Sequence, residues 1–370
     1  MLIGVPREIK IHEYRVGLSP ESVAEVVERG HRVLVETAAG FGIGASDEVY
    51  RAAGARICAT AEEVFGQADL LVKVKEPQPQ ERAWLSPGQV LFSYLHLAPD
   101  PEQARDLIAS GAVCIAYETV TNAAGGLPLL RPMSQVAGRL AVQAGATALE
   151  VAHGGRGVLL GGVPGVTPGR VLIIGGGVVG FNAAQMAVGL QADVTILDRN
   201  PAVLDRLAAH FESRARVVHS NRATLNSALR DADLVIGAVL IPGATAPHIV
   251  TRAMLGDMRR GAVMVDVSID QGGCFETSRP TTHDQPTYVV DGILHYCVAN
   301  IPGAVPHTST YALNNATLPY VLALAEKGWR AALRDDPHLC SGLNVCEGKV
   351  THAAVAETLG YPFVPASEVL

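Results

Sequence analysis

One stretch constrains the fold of this chain more than any other: RVLIIGGGVVGFNAAQMAVGLQADVTILD, from Arg170 to Asp198. An apolar strand pattern runs straight into Gly175, Gly177 and Gly180 in GxGxxG order, and a helical pattern follows. The first glycine permits a tight turn, the second lets a pyrophosphate approach the backbone, and the third lets helix and strand pack closely. The phosphates then sit at a helix N-terminus, where unpaired N–H groups point at them. Asp198 ends the next strand, 23 residues beyond Gly175, where a carboxylate accepts from adenosine ribose hydroxyls. GxGxxG alone is a weak signal; strand, turn, helix, strand and acid in this order describe a dinucleotide-binding unit. A carboxylate at Asp198 repels an added 2′-phosphate, which favours NAD, although Arg199 beside it works against that preference. Taken alone, Asp198 also reads as a loop carboxylate before Asn200 and Pro201.

The same region is where glycine concentrates. The chain has 38 glycines against about 26 at ordinary usage, and 11 of them lie between Gly154 and Gly180. Those from Gly154 to Gly169 read as a loop leading into the nucleotide strand. At 370 residues the chain has room for two or three domains. A net charge of −7, spread without blocks, makes nucleic acid and anionic membrane poor partners and small solutes better ones. No window offers about 20 uninterrupted apolar residues, so no membrane span is expected. The opening MLIGVPREIK lacks the pattern of a signal peptide. Cys58, Cys114, Cys274, Cys297, Cys340 and Cys346 form no CxxC pair, so neither a disulfide scaffold nor a cysteine-zinc site is expected, and no other metal site is. The cytoplasm is the expected compartment.

Short apolar runs alternating with helical patterns predict an α/β protein. Strands are expected at Leu2–Val5, Val33–Glu36, Leu70–Val74, Val90–Tyr94 and Val113–Tyr117, with a helix at Pro20–Arg29 capped by Ser19. Met133–His153 reads as one long helix. A second series of strands follows at Val171–Ile174, Val194–Leu197, Val217–Val218, Leu234–Gly237, Val263–Val267 and Tyr288–Val290, apolar enough for strands buried on both faces of a parallel sheet. From about Thr308 to Arg334 the pattern is helical, and a short helix is expected near Thr351–Thr358. Such a tail must pack on something. The expected architecture is therefore two Rossmann-like domains with parallel sheets, joined by long helices with a cleft between them. The first, discontinuous domain comprises residues 1–130 and 307–370, and the nucleotide-binding domain residues 131–306.

Open α/β sheets bind ligands beyond the carboxyl ends of their strands. Four polar residues lie there: Arg15 after the first strand, Lys75 after LLVKV, His96 after VLFSYL and Asp270 after VMVDVSI. Each has a plainer reading as a surface charge, a solvated strand end, a backbone-satisfied histidine or a turn residue. Position alone does not decide.

The surrounding strings do. GVPREIKIHEYRVGLSPESVAEVVERGHRV, LLVKVKEPQPQE, LFSYLHLAPD, AYETV, RPMSQVAGR, VLIIGGGVVG, VDVSIDQGGCFETSRPTTHDQPTY and VANIPGAVPHTSTYALNNATLPYV closely resemble the alanine dehydrogenase and pyridine nucleotide transhydrogenase family across essentially the whole chain. His12 stands where that pattern usually has asparagine, and Gly17 where alanine is usual.

The resemblance implies roles. Arg15 would bind a substrate carboxylate as a bidentate fork, Lys75 would stabilise charge on its oxygen, and His96 would be the general acid/base. Asp270 would orient or activate water and ammonia and also meet the cofactor. Further cofactor contacts are implied at Ser134, Val178, Val179, Ser220, Val239, Leu240, Arg279, Val298, Asn300 and Ile301. The implied reaction is reversible oxidative deamination of L-alanine to pyruvate and ammonium with NAD, by a homohexamer. Alternatives are the soluble NAD-binding part of a transhydrogenase, a related opine or lysine-pathway dehydrogenase, and a catalytically silent NAD-binding homologue.

Overall fold

The computed structural model describes residues 1–239 and 247–370. The chain divides into two compact units, Met1–Met133 with Val305–Leu370, and Ser134–Ala304. Both are α/β.

The first unit begins with β1 (Leu2–Val5), β2 (Arg32–Glu36), β3 (Arg56–Cys58), β4 (Leu70–Val72), β5 (Val90–Ser93) and β6 (Val113–Ala116). The second contains β7 (Arg170–Ile174), β8 (Asp193–Asp198), β9 (Arg216–His219), β10 (Leu234–Gly237), β11 (Val263–Asp266), β12 (Thr287–Val290) and β13 (Ile293–Tyr296). The chain then returns to the first unit for β14 (Leu343–Cys346) and β15 (Lys349–Val350). The first sheet has the order β15-β14-β6-β5-β4-β1-β2-β3 and the second β12-β13-β11-β10-β7-β8-β9.

Neither sheet is purely parallel. β14 runs antiparallel to β6 and β15 to β14, and β12 runs antiparallel to β13; all other pairs are parallel. The helical tail thus contains two strands as well, and they extend the first sheet. Side chains from β14 and from the helix Ala353–Leu359, among them Val345 and Val355, share a core with Leu71, Leu91 and Cys114. The second core gathers Leu172, Ile174, Val235, Met264 and Phe275.

Two expected helices are interrupted. The helix Arg131–Ala148 stops before a separate 3-10 turn at Val151–His153. The tail helix runs Pro306–Lys327, breaks at Gly328 with φ +73°, and resumes at Trp329–Asp335. Ser19 does cap the first helix, Pro20–Glu28, its hydroxyl accepting from Ser22 N–H, an arrangement that satisfies an otherwise orphan donor. No helix among the described residues is long and apolar enough to cross a membrane.

Candidate active site

In the first unit, β6, β5, β4 and β1 are consecutive neighbours, and all four run parallel. Their carboxyl ends lead in that order to Glu118, His96, Lys75 and the loop carrying Arg15. Fold topology therefore brings three of the four proposed chemical residues to one edge of one sheet.

Arg15 is no surface charge. It is 2% exposed, and its Nε and Nη2 donate to the two carboxylate oxygens of Glu13 at 2.6 and 2.5 Å. Nη1 lies 3.0 Å from Met133 Sδ. Burial works to raise the Glu13 pKa, but the Arg15 charge and its hydrogen bonds overcome this and hold it down at about 2. The loop is fixed further by the helix Pro306–Lys327: Thr310 Oγ1 accepts from Val16 N–H, and Asn314 joins Ser19 N–H to the Gly17 carbonyl.

Both departures from the family pattern sit at backbone-controlled positions of this loop. His12 has φ +58°, a left-handed conformation that asparagine also favours. A Cβ on Gly17 would stand 2.2 Å from the Val72 carbonyl oxygen, so here the loop presses directly on the end of β4.

Lys75 is half-buried, and its approach is organised by Glu8. One Glu8 oxygen accepts from Val74 N–H at 2.7 Å and Lys75 N–H at 3.4 Å. The other lies 3.2 Å from Lys73 Nζ, which also donates to Glu81 at 2.8 Å. Lys73 and Glu81 are fully buried and Glu8 nearly so. Burial pushes Glu8 up to about 7 against the pull of Lys73, with Glu81 and Glu13 adding repulsion. Burial opposes the Lys73 charge, yet the two carboxylates prevail and raise its pKa.

His96 is exposed, its ring stacked on Tyr94 at 5.8 Å and 3°. Tyr94 is buried and donates to the Leu129 carbonyl at 2.6 Å. Sequence reasoning did not single out Glu8, Glu13, Tyr94 or Glu118. Glu13 had a signal, two positions before Arg15 in HEYR; the others read as ordinary strand-end polar residues until the fold places them together.

In the second unit, the six neighbouring parallel strands β13, β11, β10, β7, β8 and β9 also converge at their carboxyl ends. β7 gives the glycine turn. Gly175 adopts φ +102°, and a Cβ there would lie 2.6 Å from the Ala238 carbonyl oxygen; one on Gly180 would lie 1.8 Å from the Gly175 oxygen. A Cβ on Gly177, by contrast, would meet nothing within 4 Å. The open space therefore sits at the N-cap of the helix Val178–Gly189, with Val178 and Val179 in its first turn, which fits an approaching diphosphate.

Asp198, at the end of β8, accepts from Gly176 N–H at 2.7 Å and Asn200 N–H at 2.8 Å, so its carboxylate is fixed beside the turn. Ser220 N–H, after β9, donates to the Asp198 carbonyl. Val239, after β10, borders Gly175, and its carbonyl accepts from Ser268 Oγ at 2.7 Å. Leu240 lies outside the described residues. Asp270 is exposed in the turn Ile269–Gln271 after β11. That loop is tied down by Asp266, which is fully buried and accepts from Ser268, Cys274 and Phe275 N–H and from Ser278 Oγ. Burial outweighs these bonds and raises the Asp266 pKa.

Beyond it, the Arg279 guanidinium stacks 4.0 Å from the Tyr288 ring centre. After β13, Val298 bridges to Thr281. Asn300, at φ +68°, places its carbonyl 3.2 Å from His283 Nε2, and Ile301 is buried at the start of the turn Ile301–Ala304. Ser134 lies near the start of the helix Arg131–Ala148.

Two family models match the chain. Residues 4–137 match "Alanine dehydrogenase/PNT, N-terminal domain", and residues 141–353 match the corresponding C-terminal domain. An alanine dehydrogenase of Halomonas elongata is 59% identical over 370 residues, the full length of both chains. One of Bacillus subtilis is 54% identical, covering 100% of this chain and 98% of its own. A solved L-alanine dehydrogenase shares 53% identity with a TM-score of 0.95, covering 97% of this chain and 99% of that one. A transhydrogenase from Sinorhizobium meliloti, at 24% identity and a TM-score of 0.84, shares the fold. With both halves of its length matched and full-length relatives above half identity, the chain belongs to the alanine dehydrogenase/PNT family.

Proposed function

We propose that this protein is an NAD-dependent L-alanine dehydrogenase, converting L-alanine, water and NAD reversibly into pyruvate, ammonium and NADH with release of a proton. The observation that carries the reading is the row of Lys75, His96 and the buried Arg15 at the ends of three neighbouring strands. It combines a cation for a carboxylate, a donor for an oxygen and a proton-exchanging imidazole.

Arg15 supplies the cation for the substrate carboxylate, and Glu13 keeps its guanidinium oriented. Lys75 donates to the substrate oxygen and stabilises negative charge developing there. His96 exchanges the proton at the heteroatom on the α-carbon. Asp270 orients the water that hydrolyses the imine and, in reverse, the ammonia that forms it.

When bound, NAD supplies the hydride acceptor. The turn Gly175–Gly180 and the N–H groups of Val178 and Val179 would hold its diphosphate, and Asp198 its ribose. Ser134, Ser220, Val239, Leu240, Asp270, Arg279, Val298, Asn300 and Ile301 complete the cofactor contacts in this reading. The fixed Asp198 carboxylate supports NAD over its 2′-phosphorylated form. The family resemblance supports a cytoplasmic homohexamer.

Purified protein is expected to reduce NAD with L-alanine at alkaline pH, and to oxidise NADH with pyruvate plus ammonium, both followed by NADH absorbance. Tight NAD binding without alanine turnover would overturn the proposal and favour a silent binding protein.

A further inference from the structure

His96 holds a backbone conformation that residues with a Cβ rarely adopt, φ +50°. Such a conformation costs free energy and persists only where its surroundings impose it. The imposing group comes from the next strand. Glu118, in the turn Tyr117–Thr119 after β6, accepts from His96 N–H at 2.6 Å and from Leu95 N–H at 3.2 Å. Two successive N–H groups thus converge on one carboxylate, whose charge makes both bonds stronger than neutral ones.

The imidazole itself is not hydrogen-bonded to Glu118: Nδ1 lies 3.8 Å from the nearer carboxylate oxygen, beyond hydrogen-bond reach. The contact that matters is with the backbone. On the ring side, Tyr94 stacks parallel to the imidazole and is anchored at Leu129. Two further charged or titratable groups, His352 and Arg15, bear on this corner. Burial lowers the pKa of His352, the N-cap of the helix Ala353–Leu359, with Glu118 pulling the other way. Tyr94 feels both Arg15 and Glu118.

We propose that Glu118 is a positioning residue for His96: its carboxylate clamps the Leu95–His96 backbone in the left-handed turn and thereby sets where the imidazole points. The clamp acts on chemistry only through His96, so it rests on the reading of His96 as the acid/base. Removing it relaxes the turn and swings the ring away, while Arg15, Lys75 and the dinucleotide turn keep their own supports. A small misplacement of an acid/base group costs rate steeply, because proton transfer requires hydrogen-bond reach.

The test compares Glu118→Ala and Glu118→Gln in the full-length protein. Glu118→Ala should lower kcat for alanine oxidation by about 30-fold to 100-fold, with KM for alanine and the Kd for NADH within about twofold of wild type. Glu118→Gln, whose amide oxygen still accepts from both N–H groups, should recover to within about fivefold of wild type. In protein labelled with 15N-histidine, the His96 amide resonance, assigned by its loss in His96→Gln, should lie downfield and move upfield in Glu118→Ala. Wild-type kcat in Glu118→Ala, equal losses in both variants with KM raised in parallel, or an unmoved amide resonance would each overturn the proposal. If wild-type protein fails to oxidise alanine, the acid/base reading of His96 falls instead, and the resonance still decides whether Glu118 holds the turn.

Discussion

Both units present their candidate site residues at the carboxyl ends of parallel strands, yet they hold them by opposite means. The first uses buried charge: Glu13 with Arg15, and Glu8 and Glu81 around Lys73. The second uses backbone: glycines that let main chain meet main chain, an Asp198 carboxylate on turn N–H groups, and one buried Asp266 gathering three backbone N–H groups and the Ser278 hydroxyl. The contrast follows the ligands proposed for each. A small amino acid offers a single carboxylate that demands a fixed cation, whereas a dinucleotide offers diphosphate oxygens that helix dipoles and N–H groups satisfy without any side-chain cation.

The largest effect is expected where buried charge is broken. Lys73→Met leaves Glu8 and Glu81 buried without their cation and should cost about 3–5 kcal/mol of stability, measured by urea denaturation at pH 8. The loss should shrink at acid pH, as the carboxylates take up protons. A variant as stable as wild type at pH 8 would mean that this cluster does not support the first unit.

Next come the two glutamates that flank Arg15 and Lys75, whose shifts have opposite signs. Glu13 falls from 4.5 to about 2, so its stabilisation is complete above pH 4.5 and lost as pH falls towards 2, on the order of 3 kcal/mol. Glu8 rises from 4.5 to about 7, so its ionisation makes stability decline as pH rises across that interval. In Glu13→Gln the acid-side loss should be smaller by roughly 3 kcal/mol, read from denaturation midpoints across pH 2–5. An unchanged acid limb would show that the Arg15 pair contributes nothing to it.

The smallest effect tests the backbone side of the comparison. Gly177 has φ −66° and ψ −160°, accessible to alanine, and its missing Cβ faces open space. Gly177→Ala should leave stability unchanged or raise it by up to about 1 kcal/mol, while weakening NADH binding about tenfold, measured by fluorescence titration. Unchanged NADH affinity would remove Gly177 from the diphosphate site.

The dinucleotide unit was legible because its constraint is local: Gly175, Gly180 and Asp198 lie within one strand-turn-helix-strand, and their spacing states the geometry. The strand ends bearing Arg15, Lys75 and His96 were legible as positions, and their roles came from family resemblance. What stayed hidden depends on burial. Glu8, Lys73 and Glu81 look like surface charges in any window of sequence, and only the pairing of β1, β4 and β5 encloses them. Glu118 was equally invisible, since its partner is a backbone 22 residues away. β3, β13, β14 and β15 were missed because runs such as RIC and LNVC are too short or too polar for alternation to register. The antiparallel pairings of β14, β15 and β13 follow from the sheet rather than from any local pattern.

The interleaving of the two units has a consequence for synthesis on the ribosome. Residues 134–304 are contiguous and emerge complete, whereas the first sheet lacks its β14–β15 edge, and its core lacks Val345 and Val355, until the last segment is made. Because domains fold as units once their residues are available, the second unit can reach its native form while the first, begun earlier, still waits for its final third. During that interval β6 has an unpaired edge, an open template for another nascent chain.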